Sequence, residues 1–219
     1  MALVTGIIGA PFGEVTCRLG LIETMLCLFK RPDLLKKLSE LVLRRYIEEA
    51  KALIEAGVEA FWIEEVFAGT DTISPRNFED IALPYEKRLI NELNTLGAYT
   101  ILYFCGNPMP IIEKIASVNA HAFAFEEDKK GFRINISQIR NLLKGRACLF
   151  GNFDAINTLR KNPREVEESA KEMILKLAPE GGFVLGTGSP VLKDVPPENV
   201  DALIIAARNM SRELFVCRK

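Results

Sequence analysis

Short apolar runs alternate with longer amphipathic segments along this chain, and that alternation constrains the fold more than any other feature. Residues 3–8, 60–63, 99–104, 120–125, 147–150 and 183–185 are nearly continuously apolar. Runs of this kind read as strands covered on both faces, as in a parallel sheet clothed by helices. The segments between them carry helix signals. Pro32 and Asp33 open a helix that places Leu35, Leu38, Val42, Tyr46, Ala50 and Leu53 on one face, and Gly57 closes it at the C′ position. Ser74-Pro75 is an N-cap with proline at N1 for a helical region to Leu96, which Pro84 should split or kink. Residues 110–118 and 136–143 form shorter helices, Asn162-Pro163 caps one that runs to Leu177, and Pro197 starts the last, towards Met210.

Six β-then-α units in series predict an α/β fold of parallel strands with helical crossovers. A nucleotide-binding doubly wound sheet lacks its fingerprint: Gly186-Thr187-Gly188 runs into Ser189-Pro190-Val191 without a third glycine, and no P-loop lysine motif occurs. The other parallel solution, the (β/α)8 TIM barrel, takes eight units and about 250 residues. The chain of 219 residues therefore reads as an open sheet or as an incomplete barrel of about six units without its first quarter. With no low-complexity linker and no repeat, residues 1–219 read as a single domain.

Composition narrows the partners. Basic and acidic residues number 28 and 29, so nothing favours nucleic acid or an anionic membrane surface. No apolar run reaches the ~18 residues of a membrane span. Residues 1–13 are apolar but lack a basic leader region and break at Gly9 and Pro11, which suits a core strand better than a signal peptide. The five cysteines are odd in number and widely spaced, the pattern of reduced thiols in a cytoplasmic protein.

Catalytic groups of a βα barrel come from the carboxyl ends of its strands. Those ends read Glu64-Glu65, Cys105-Gly106-Asn107, Glu126-Glu127-Asp128, Asn152 with Asp154, and Thr187-Gly188-Ser189. Cys105, Glu65 and Asp154 are the catalytic candidates; Tyr103, Asn107, Glu126, Asn152, Thr187 and Ser189 are the substrate-binding ones. Several have structural readings as well. At most one of Glu64 and Glu65 faces the barrel axis, Glu126 to Lys130 also reads as an exposed charged loop, and Asp154 also reads as a helix N-cap. His121 reads as a packed side chain; Cys17, Cys27, Cys148 and Cys217 read as small core residues. Cys105 could serve as a thiolate nucleophile or metal ligand.

At these residues the chain resembles the uroporphyrinogen decarboxylase family, which includes the heme-pathway decarboxylase and zinc-dependent methylcobamide:coenzyme M methyltransferases. The similar segments are GAPFG (9–13), EAGVEAFWIEEVFAG (55–69), ISPRNFEDIALPYEKRLI (73–90), LYFCGN (102–107), LFGNFDA (149–155) and GGFVLGTGSPV (181–191). The resemblance implies a (β/α)8 barrel of which the chain carries about the last six units, without the N-terminal part. In the methyltransferase branch it implies a zinc ion held by a His-x-Cys-Gly strand end and a later cysteine. Here those positions are Tyr103, Cys105 and Ser189, so Cys105 is the one remaining metal candidate. For the decarboxylase branch it places Cys17, Val66 and Thr187 where the family has tyrosine, serine and histidine. The function it implies is methyl transfer from a corrinoid or small methyl donor to a thiol, through a degraded zinc site. Decarboxylation in tetrapyrrole (porphyrin) biosynthesis, or a non-catalytic fragment needing a partner chain, are the alternatives. Expected partners are a small-molecule or corrinoid-protein substrate, with a homo-oligomer or an N-terminal segment completing the barrel.

Overall fold

In the computed structural model, residues 3–129 and 131–216 are described, and Cys217 lies outside them. The chain forms two compact units, residues 1–123 and 124–219, with the division falling inside one strand.

In the first unit, three strands, β1 (Thr5–Gly9), β2 (Ala60–Glu65) and β3 (Tyr99–Phe104), pair in parallel and in chain order. β2 is flanked on both sides, and its Ala60, Phe61 and Ile63 are fully buried, as its apolar run predicts. The sequence reading missed the helices between β1 and residue 32. α1 (Pro11–Leu19) starts with proline at N1, and α2 (Leu21–Lys30) follows after Gly20, whose φ of 86° turns the chain between them. α3 (Pro32–Glu55) is the long helix expected from its stripe, with Leu35, Val42, Tyr46 and Ala50 buried and Gly57 beyond its end at φ 103°.

Pro84 divides the following helical region, as expected, but without ending it. α4 (Pro75–Asn77) passes into a π-helical turn (Phe78–Ala82) and then α5 (Leu83–Thr95). The Leu83 N–H donates to the Phe78 carbonyl, five residues back. Widening the helix by one residue keeps the pyrrolidine ring off the carbonyl it would strike in an α-helix. Phe78 then meets Phe104 edge-on, ring centroids 5.9 Å apart, inside the core.

β3 leads through a short 3-10 turn into α6 (Ile112–Ala116), and β4 (Ala122–Phe125) contains the division between units. The second unit continues with α7 (Ile136–Leu143), β5 (Cys148–Phe150), α8 (Pro163–Leu177), β6 (Phe183–Val184) and α9 (Pro197–Val216). β5 and β6 pair in parallel. Asn162 caps α8 as expected, its side chain accepting from the Glu165 N–H. The core here joins Phe153, Leu159, Val166 and Ala170 to Val195, Leu203 and Ala206. Arg140 is 8% exposed and donates to the carbonyls of Leu177, Gly181 and Gly182, fastening α7 to the turn before β6.

Six parallel-strand βα units thus make an α/β fold in the pattern of an incomplete (β/α)8 TIM barrel. No helix of the described residues is long and apolar enough to cross a membrane.

Candidate functional site

At the rim of the first unit, alternation along β2 and β3 decides which side chains share a face. Glu64 is in register with Tyr103, and the rings of Trp62 and Tyr103 lie 5.4 Å apart, so these three stand on one face. The Cys105 N–H donates to the Glu65 carbonyl (2.8 Å), extending the ladder by one residue and placing the Cys105 side chain on that same face. Glu65 faces the opposite way. The catalytic candidates Cys105 and Glu65 therefore do not share a face: of the adjacent pair, it is Glu64 that stands with Cys105.

Glu65 is fully buried on the helix side. Its carboxylate accepts from the N–H groups of Gly13 in the first turn of α1 (3.2 Å) and of Phe67 (2.9 Å). Burial pushes its pKa up to about 7 despite these donors, and Glu86 of α5 shares its pocket. Burial and the neighbouring Glu65 charge hold Glu86 well above the usual carboxylate range. Both Glu86 oxygens are buried and no N–H or hydroxyl among the described residues donates to them, so a neutral Glu86 donating to an ionised Glu65 is the arrangement that satisfies both. Glu86 was missed in the sequence, yet a signal existed: it begins the buried stripe Glu86, Leu89, Ile90, Leu93 of α5.

Asn107 is committed to holding loops together. Its N–H donates to Asp71 Oδ1 (2.6 Å), its carbonyl accepts from the Thr70 N–H and hydroxyl, and its Oδ1 accepts from the Met109 N–H. Gly106, at φ 80°, lets the loops close: a Cβ there would stand 2.5 Å from Asp71 Oδ1. The half-buried Cys105 thus sits at a rigid strand end. Cys17, expected in the core, is exposed, and burial of its sulfur with the Glu14 and Glu65 carboxylates raises its pKa. His121 is exposed rather than packed; its Nδ1 lies 3.2 Å from the Thr100 N–H and its ring meets Tyr99 edge-on.

The rim of the second unit is a charged network. Lys129 Nζ lies 3.1 Å from Glu126 Oε1, 3.1 Å from Glu127 Oε1 and 2.8 Å from Ser189 Oγ. Burial disfavours the ammonium, but the two glutamates outweigh it and raise its pKa. Residues 126–129 are therefore not simply a solvated loop: Glu127 is 2% exposed, and Lys129 was missed as its partner; Lys130 lies outside the described residues. Alternation was the available signal, since residues 127 and 129 fall on one side of an extended chain. Asn152 donates from Nδ2 to the Glu126 carbonyl (3.0 Å). Thr187 sits in a parallel bridge with Phe153, next to Gly188, where Glu127 leaves no room for a Cβ.

Asp154 serves as a cap. Its carboxylate accepts from the N–H groups of Ile156 (2.9 Å) and Asn157 (2.8 Å), and from the Asn157 and Thr158 side chains. Burial alone would raise its pKa, but these donors outweigh it and hold the carboxyl below the usual range. Tied to four donors, Asp154 is poorly placed to take up a proton.

The zinc ion suggested by the resemblance does not fit this donor set. Among the described residues, no three His, Cys, Asp or Glu side chains are grouped to hold a metal ion. Tyr103, at one ligand position, lies with its ring tilted against Trp62, and Ser189, at another, is bound to Lys129.

Fold and rim define a βα-barrel-type chain with polar groups at its strand ends. The uroporphyrinogen decarboxylase (URO-D) family model matches residues 2–210, and the chain belongs to that family. A uroporphyrinogen decarboxylase of Desulfotalea psychrophila is 29% identical over 94% of this chain and 60% of its own length. A uroporphyrinogen decarboxylase of Trichlorobacter lovleyi is 27% identical over 84% of this chain and 52% of its own. The methylcobamide:CoM methyltransferase MtaA of Methanosarcina barkeri is 29% identical over 91% and 57% respectively. The chain thus spans between about half and three fifths of these relatives. A solved methyltransferase from Methanosarcina mazei shares the fold, with a TM-score of 0.80 at 24% identity, over 96% of this chain and 59% of that one.

Proposed function

We propose that the chain is a methyltransferase-like member of its family, passing a methyl group from a corrinoid or small methyl donor to a thiol. The observation that carries this reading is Cys105, held at the end of β3 on the Tyr103 and Glu64 face by the locked 69–71 and 106–107 loops. In such a transfer the methyl group moves to sulfur without its bonding electrons, which stay on the donor, and the thiol proton leaves to a base. Glu64 is the carboxylate in register on the Cys105 face. Glu65 and Asp154 are committed to other donors, so neither takes that role here. Incubating purified protein with methylcobalamin and 2-mercaptoethanesulfonate tests the proposal: methylated thiol and loss of the methyl–cobalt absorption are expected, and absence of both overturns it.

A second reading, uroporphyrinogen decarboxylation, is favoured by the names of two of the relatives above. It is disfavoured by Cys17, Val66 and Thr187, where the resemblance places the decarboxylase side chains. No coproporphyrinogen is expected from uroporphyrinogen.

Partner completion belongs to the same proposal. β1 is an edge strand, paired only with β2 among the described strands, and its Ile7 is 68% exposed. Such an edge invites a further strand, from a second copy or from a segment equivalent to the remainder of the longer relatives. Sedimentation of the purified chain as a monomer at micromolar concentration argues against the second copy. The described cysteines form no disulfide, which supports a reducing, cytoplasmic setting.

A further inference from the structure

A cavity of about 550 Å³ opens in the first unit between α2, the first turn of α3 and the loop and π-turn that follow β2. None of its lining residues belongs to the strand-end rim. One wall is apolar, formed by Met25, Leu28 and Phe29 of α2 with Ile73. Leu28 and Ile73 are buried and firm, at 8% and 4% exposure, whereas Phe29 is 83% exposed and stands at the mouth. The lining also carries two basic side chains, Lys36 of α3 and Arg76 of α4.

The charge there is unbalanced. Asp80 also lines the cavity, but it reaches Arg76 only loosely, with Nε 3.6 Å from Oδ2 and both side chains exposed. Among the described residues Lys36 makes no ion pair or side-chain hydrogen bond. One positive charge therefore remains uncompensated beside an apolar wall. The π-turn at Phe78–Ala82, which accommodates Pro84, also brings Asp80 and Ile81 to the cavity. The volume is that of a pocket for a drug-sized molecule.

We propose that this cavity binds an amphipathic organic monoanion, its charged head between Lys36 and Arg76 and its apolar body against Met25, Leu28 and Phe29. The anion pairs with an ammonium that has no ion-pair partner among the described residues and with a guanidinium that Asp80 holds only loosely, and its body covers the apolar wall. The phenyl ring of Phe29 folds down over it. A dianion fits less well, because Asp80 opposes the second charge.

The probe is 8-anilino-1-naphthalenesulfonate, which pairs one sulfonate with a fused aromatic body, titrated into the full chain labelled at the methionine methyl groups. Saturable binding at one site per chain is expected, with the Met25 methyl resonance shifting and that of Met109 still. Lys36→Gln and Arg76→Gln each weaken the affinity by roughly threefold to tenfold, Lys36→Arg restores it, and 0.5 M salt lowers it. The uncharged N-phenyl-1-naphthylamine binds more weakly and ignores both substitutions. Lys36 and Arg76 are exposed, so these variants keep the fold. A Met25 resonance that does not move, or equal affinity in wild type and both glutamine variants, overturns the proposal. The readout is independent of methyl transfer, so the two proposals fail separately.

Discussion

Glu65 and Glu86 occupy one buried pocket between β2, α1 and α5, and the carboxylate of Glu65 takes the Gly13 and Phe67 N–H groups while Glu86 receives none. Two carboxyls so placed cannot both ionise without large cost, so the folded chain retains a proton that the unfolded chain releases. Both folded pKa values lie above the ordinary 4.5. Their contribution to stability is therefore full below about pH 4.5 and declines as the pH rises through about 7 and beyond.

Glu86→Gln keeps the shape and the donor but removes the proton linkage. Its melting temperature should match wild type near pH 5 and exceed it by roughly 3–6 °C at pH 8. A constant difference across that range would show that the pair holds no extra proton.

Gly188 has no room for a side chain, since a Cβ would overlap the backbone nitrogen and Oε2 of Glu127. Gly188→Ala should cost about 1–3 kcal/mol in denaturant unfolding, and more if the Lys129 network is displaced. Gly131 has nothing within 4 Å of a built Cβ, and Gly131→Ala should stay within about 0.5 kcal/mol of wild type.

Lys129 balances Glu127, one oxygen of which is already buried without a donor. Lys129→Met should destabilise the chain by about 1–3 kcal/mol, because it strands a buried carboxylate. Adding Glu127→Gln should recover most of that loss. A double variant as unstable as the sum of the two single ones would remove the coupling.

Cys105→Ser should lower methyl transfer to a thiol by on the order of a hundredfold while leaving the melting temperature within a few degrees. Cys17→Ser, at an exposed thiol that its surroundings keep protonated, should leave the rate close to wild type. Equal effects of the two would detach the activity from the β3 rim.

Much of the architecture is written in local pattern. The apolar runs mark the strands, and the proline caps at Pro32, Pro75, Pro163 and Pro197 mark where helices start, because both signals act within a few residues of themselves. The helices α1 and α2 escaped because their start, Ala10-Pro11, reads equally as a strand break, and Gly20 divides them. Pro84 was legible as a disturbance but not as a π-turn, since the helix chose to widen rather than break only with Phe78 packed on Phe104.

The polar residues at the strand ends were legible as a set, but not their roles. Which of Glu64 and Glu65 faces Cys105 depends on strand register, and register is fixed by pairing partners about forty residues away in sequence rather than by neighbours. Whether Asp154 caps a turn, whether Lys129 meets Ser189 and whether Glu86 meets Glu65 are likewise decided by chain segments brought together only on folding. The sequence by itself determined the family, the βα order and the chemistry available at the rims. Tertiary structure decided which carboxyls are spent on the scaffold, because burial and hydrogen bonding, unlike propensity, are properties of contact.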